Sequence, residues 1–210
     1  FRERIIFMYI TCLDMEGPLV PEIWIEFAKA TGIDELLITT RDEPDYHKLM
    51  DYRLDILKKH NLKLKDIQET ISHMEPKEGA KEFLDEIRSF SQVVVISDTF
   101  QEFASPLMKK LGYPMLFCNS LEVAEDGTIT GYVMRLPHDA KLTTVKALQS
   151  IGYDTIAAGD SYNDIGMIEN SKAGFLFKST ESIIKEHPHI KAYEEYSDLL
   201  AAIKEAQGVK

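Results

Sequence analysis

Residues 5–13 (IIFMYITCL) are apolar at nearly every position, rich in β-branched and aromatic side chains, and stop abruptly at Asp14-Met15-Glu16-Gly17. A strand with one wet face alternates apolar and polar residues. A continuous run instead predicts a strand covered on both faces, as in a parallel sheet. Residues 92–97 (QVVVIS) and 155–159 (TIAAG) repeat the pattern, and 173–177 (AGFLF) is a further candidate. Helical spacing falls between them, over residues 78–90, 100–111, 141–151 and 163–170. Strands alternating with helices need right-handed crossovers. The expected fold class is therefore α/β, a Rossmann-like, mostly parallel sheet flanked by helices. Residues 121–135 are the exception, reading as two short strands about a turn at Glu125-Asp126-Gly127.

The stretch from the first strand to Glu78 carries no convincing strand. Pro21 stands at a plausible first helical position, followed by Ile23, Phe27 and Ala30 at helical spacing, and residues 45–59 and 64–73 continue the pattern. One crossover helix would suffice, so the block reads as an inserted helical cap. The expected division is a core of residues 1–18 and 76–210 with a cap of residues 19–75. The cap would sit over the carboxyl end of the first strand, where open α/β sheets bind ligands. Trp24, Phe27 and Met50 are expected to form the cap's own packing, and packing is also the expectation for Tyr46 and Tyr162.

A formal net charge of −11 argues against a nucleic-acid partner, since no excess of lysine and arginine exists to neutralise a phosphate backbone. No segment reaches the roughly 20 apolar residues of a membrane span, and residues 5–13 lack the cleavage site of a signal peptide. A cytoplasmic location is the expectation. Cys12 and Cys118 lie in apolar stretches and read as packing residues. The six histidines are read as scattered, without the close pairing that a zinc site requires, so no zinc site is expected.

Three strand ends finish alike: Asp14-Met15-Glu16-Gly17, Ser97-Asp98-Thr99, and Gly159-Asp160-Ser161-Tyr162-Asn163-Asp164. Singly these are weak signals, and Asp98 by itself reads more readily as a helix N-cap. Parallel strands bring their carboxyl ends together, however, so several carboxylates would share one crevice. Their repulsion is commonly resolved by a divalent cation, and magnesium suits a sparse set of oxygen ligands. Lys141 opens a helix, where the helix dipole disfavours a cation, which hints at an anion holding it there. Lys146, deeper in the helix, is the rival. Arg53 shares a helical face with Leu49, Ile56 and Leu57 and points along an apolar stripe.

The order DxEG, SDT, Lys and GDxxND resembles the haloacid dehalogenase superfamily, and within it the phosphoserine phosphatases. The segments DMEGPLVPEIW, TTRDEPDY, SDTF and AAGDSYND are most similar to the branch described as bifunctional phosphoserine phosphatase and homoserine phosphotransferase. The resemblance implies that Asp14 is the nucleophile and forms an aspartyl phosphate, with Glu16 as general acid and base. It implies a Mg2+ ion held by Asp14, the main-chain carbonyl of Glu16, and Asp160, with Asp164 in support. Ser97, Asp98, Lys141 and Asn163 would contact the phosphoryl group or its surroundings. Glu22 would take the substrate ammonium and Arg53 its carboxylate. Most of the superfamily carries Asp where this chain has Glu16, so water and homoserine both stay open as acceptor, and a homodimer is left open. A receiver-type signalling domain collects similar acids, but has neither a helical insertion after its first strand nor the GDxxND run.

Overall fold

The computed structural model describes residues 8–40 and 42–209. The first three residues of the expected opening strand, 5–7, lie outside the described residues. The remainder forms β1 (Met8–Leu13), the centre of a seven-stranded sheet. In chain order the other strands are β2 (Gln92–Phe100), β3 (Met115–Val123), β4 (Ile129–Val133), β5 (Tyr153–Gly159), β6 (Ala173–Phe177) and β7 (Lys191–Tyr193). Their spatial order is β4-β3-β2-β1-β5-β6-β7, parallel throughout except for the β3–β4 hairpin.

The unbroken apolar runs are explained by burial on both faces. Successive strand residues enter opposite cores: Cys12, Val94, Ile96 and Ala157 pack on one side, Leu13, Val95, Ile156 and Ala158 on the other. The first side is closed by α6 (Ala140–Ser150), α7 (Tyr162–Glu169) and α8 (Glu181–Glu186) through Val145, Met167, Ile168 and Ile183. The second is closed by α4 (Ala80–Arg88), α5 (Gln101–Lys110) and α9 (Tyr196–Gln207). Cys12 is fully buried and Cys118 half-buried; both are free thiols.

Between β1 and α4 lie α1 (Ile23–Thr31), a 3₁₀ turn at Asp34–Leu37, α2 (Tyr46–Lys59) and α3 (Leu64–His73), with no strand among the described residues. Ile23, Trp24, Phe27, Met50, Ile56, Ile67 and Ile71 are buried and join the core shared with α5. Pro21 is not the first helical residue: α1 begins at Ile23 and Glu22 occupies the N-cap position. Where α3 meets α5, Pro106 stands inside α5 and has no N–H to offer the carbonyl of Glu102. The Gln68 side-chain amide of α3 donates to that carbonyl instead, at 2.9 Å, so the proline's missing bond becomes a tie between the two helices.

The sequence also misjudges where β2 ends. It runs to Phe100 rather than Ser97, with an irregular register against β3 between Ile96 and Phe100. β3 starts six residues before the expected hairpin and pairs parallel with β2 before turning into β4. No helix among the described residues is long and apolar enough to cross a membrane.

Helix α7 approaches β6 so closely that a Cβ on Gly174 would overlap the main-chain carbonyl of Ile168. Gly174→Ala should therefore lower stability by about 1–3 kcal/mol. At this chain length that is a fall in Tm of several degrees, readable by thermal or urea unfolding.

Candidate active site

Register places the site. Leu13 is level with Val95 of β2 and with Ala158 of β5, so the residues that follow emerge side by side at one edge. Asp14 leaves β1 there, its amide donating to the Ala158 carbonyl at 3.1 Å. A tight loop follows, with Gly17 at φ 92°. Only glycine fits: φ is positive, and a Cβ would collide with the Asp160 carboxylate. Asp160 comes from the end of β5, and its main-chain carbonyl accepts from Ser179 Oγ at 2.6 Å.

Lys141 reaches into this edge from the first turn of α6. Its ammonium is 3% exposed, 2.9 Å from Asp14 Oδ1 and 2.6 Å from Asp164 Oδ1. Burial disfavours its charge, but Asp14 and Asp164 outweigh that and raise its pKa. Lys146 is exposed. Asp164 is fully buried and works at both ends. Oδ1 binds Lys141, while Oδ2 accepts from the amides of Asp160 and Ser161 and closes a capping box with Ser161 at the start of α7. Asp14 Oδ1 also accepts from the Met15 amide at 2.7 Å.

One ammonium thus faces three carboxylates. Ligand oxygens of Asp14, Asp160 and Asp164 lie within 4.8 Å of one another. Burial, and then Asp164, raise the Asp14 pKa well above its ordinary value, and burial with Asp164 pushes Asp160 up to about 7. Among the described residues, Asp160 Oδ1 is a buried polar atom with no hydrogen-bond partner. A desolvated, unpaired carboxylate oxygen beside two further acids is the donor set of a hard divalent cation, and the residues present fit a bound metal.

Glu16 lies partly buried in the loop after β1. Its Oε2 accepts from the Ile23 amide at 2.9 Å and thereby caps α1, and the Thr99 hydroxyl bonds to it as well. Burial still raises its pKa. Ser97 is buried, with Oγ accepting from the Thr99 amide at 3.2 Å. Asp98 is no helix cap: it lies within β2, and α5 starts at Gln101 behind Phe100. Its carboxylate accepts from Asn163 Nδ2 at 2.7 Å, while its carbonyl accepts from the Tyr46 hydroxyl and the Asn119 amide. Tyr162 is 51% exposed and bonds to Glu186, so the packing expected of it is corrected.

On the cap side, Arg53 is 6% exposed. Its guanidinium lies over the Trp24 ring at 4.7 Å and donates to the Ile38 carbonyl at 2.8 Å, but Nε has no partner. Burial lowers its pKa to about 10, so it stays a cation at neutral pH, supported by the charges of Glu16 and Glu22. Glu22 is exposed, and its charge also acts on Asp160. Tyr46, expected to pack, also bonds the main chain of Asp98, and Thr99, Asn119 and Ser179 were given no role from the sequence. Of these, Thr99 and Ser179 each stand just past or within a strand end, the one signal that could have found them.

The chain belongs to the haloacid dehalogenase-like hydrolase family, whose model matches residues 11–172. More particularly, it is 53% identical over 192 residues to phosphoserine phosphatase ThrH of Pseudomonas aeruginosa, covering 91% of this chain and 93% of that one. It is 50% identical over 190 residues to a phosphoserine phosphatase of Pseudomonas syringae pv. tomato, covering 90% and 80%. A solved phospho-aspartyl intermediate analogue of phosphoserine phosphatase superposes with a TM-score of 0.76 at 25% identity, over 98% of this chain and all of that one.

The raised acids have a thermodynamic signature. With Asp160 near 7 in the folded protein and near 3.9 unfolded, the folded state binds the extra proton across that window, so stability falls as pH rises through it. Unfolding in the presence of a chelator should show this decline between about pH 4 and 7, and Asp160→Asn should flatten it.

Proposed function

We propose that this enzyme is a magnesium-dependent phosphoserine phosphatase that works through a phosphorylated Asp14, with homoserine as an alternative acceptor to water. The observation that carries the reading is the buried Asp14–Lys141–Asp164 chain beside the unpartnered Asp160 oxygen. The naming of the relatives at 53% and 50% identity supports the substrate.

In this reading Asp14 attacks phosphorus, forming an acyl–phosphate bond as the serine–oxygen bond to phosphorus breaks. Glu16, whose pKa burial raises, gives a proton to the departing alkoxide. It then takes a proton from the incoming water or homoserine hydroxyl, whose oxygen attacks phosphorus and releases Asp14. Lys141 neutralises charge on the phosphoryl oxygens and on Asp14. Ser97 and Asn163 orient the group, with Asp98 holding Asn163 in place. Asp14, Asp160 and the Glu16 carbonyl would hold Mg2+, which supplies positive charge to the phosphoryl group.

Substrate choice belongs to residues 19–75, proposed as a cap over a core of residues 1–18 and 76–210. Arg53 carries a buried charge with an unused N–H, suited to a carboxylate, and Glu22 offers the opposite charge for an ammonium. Opposite charges at these two positions would suit a zwitterionic head group.

Asp14→Asn should reduce phosphate release from phosphoserine at least about a thousandfold. Full-speed turnover by that variant would end the proposal. Arg53→Ala should raise KM for phosphoserine about 10- to 100-fold, the worth of a charge-assisted pair, while sparing a phosphomonoester without an amino-acid head group. Adding homoserine to the phosphoserine reaction should divert phosphoryl groups into phosphohomoserine, measured by 31P NMR; free phosphate alone would leave water as the acceptor.

A further inference from the structure

Helix α7 begins at the acidic site and ends about 12 Å away at Glu169. There the sequence expectation of scattered histidines fails. His187 and His189 are separated only by Pro188, and both turn toward the Glu169 carboxylate. Glu169 Oε1 is 2.8 Å from His189 Nε2 and 3.8 Å from His187 Nδ1. The two imidazoles meet edge to face at 5.9 Å between centroids, and all three donor atoms lie within 4.8 Å of one another. Ligand atoms bound tetrahedrally at about 2.0–2.1 Å stand roughly 3.3 Å apart, between the two distances found.

The donors are held by the fold. Each neighbours a buried anchor in the same core cluster: Ile168 beside Glu169, Ile190 beside His189, and Ile183 one helical turn before His187. The His187 amide donates to the Ile183 carbonyl, and its own carbonyl accepts from the Ile190 amide, both at 3.0 Å. That second bond closes a turn whose second residue is Pro188, with φ locked by its ring. The C-terminal end of α7 adds partial negative charge, which favours a cation. His187 is 22% exposed and His189 63%, so an ion can enter from solvent.

We propose that Glu169, His187 and His189 form a second metal site, taking zinc or another late first-row divalent ion and separate from the acidic cluster at the other end of α7. Two imidazole nitrogens and one carboxylate select such ions over magnesium, which prefers an all-oxygen set. A simple surface ion pair would need one histidine; here a single carboxylate oxygen faces two. The bound ion clasps the turn between α8 and β7 to the end of α7, securing the three-residue strand at the sheet's edge.

The test titrates metal-stripped protein with Zn2+ in saturating Mg2+, which occupies the acidic cluster. The expected result is one zinc bound per chain, with Tm rising about 5 °C or more at a hundredfold excess over Kd. His187→Ala/His189→Ala and, separately, Glu169→Gln should weaken zinc binding by more than about 100-fold, beyond what outer-shell partners are worth. Both should retain magnesium-dependent turnover. In the wild-type chain, the imidazole 15N resonances of His187 and His189 should shift on zinc addition while the other histidines stay put. Absence of zinc binding in excess magnesium, equal binding by the variants, or shifts at other histidines would overturn the assignment.

Discussion

A single buried ammonium sets the terms for the rest of this molecule. Lys141, 3% exposed, stands between Asp14 and Asp164, and none of the three would tolerate burial without the others. Removing one member of such a group typically costs about 3–5 kcal/mol, because it strands the remaining charges in a poor solvent. The surrounding backbone is organised to keep them together: Asp164 is tied to the amides of Asp160 and Ser161, and Asp14 to the Met15 amide. Even so the balance is unequal, with three acids to one base, and the excess of acid is what suits the cluster to a bound cation.

The same loop that carries this cluster also reaches the cap. Glu16 is two residues from Asp14, yet its carboxylate caps α1 through the Ile23 amide. The group proposed to move a proton is thereby fixed to the first turn of the segment proposed to choose the substrate. Tyr46 makes a second link, its hydroxyl bonding to the main chain of Asp98 in β2. Each link joins one side chain to main chain of the other segment: the Glu16 carboxylate accepts from the Ile23 amide, and the Tyr46 hydroxyl donates to the Asp98 carbonyl.

Much of the architecture was legible because burial on both faces writes an unmistakable pattern. Residues 64–73 were expected as a helix and α3 spans Leu64–His73, while the expected strand at 173–177 is β6. The errors have physical causes. β2 was cut short at Ser97 because Ser97-Asp98-Thr99 is polar, although an irregular register carries the strand on to Phe100. The early part of β3 was missed because Asn119 and Ser120 interrupt its apolar character. Tertiary pairing overrode local composition in both. The convergence of Asp14 and Asp160 followed from strand ends, and Lys141 was added from its helix-start position and the family resemblance. His187-Pro188-His189 is a close pair that the sequence displays, overlooked when the histidines were read as scattered, whereas the unpartnered Arg53 Nε, the Glu16 cap and the approach of Glu169 to that pair are products of three-dimensional placement.

Pro106 carries an implication for how chains of this kind can vary. A residue with an N–H at position 106 would restore the helical bond to the Glu102 carbonyl and compete with Gln68 for it. Conversely, loss of the amide at position 68 would leave that carbonyl without a donor so long as the proline remained. Two positions far apart in the chain are thus bound into one heritable unit. Divergent relatives are expected to keep both or exchange both, with the attachment between α3 and α5 re-engineered wherever they do.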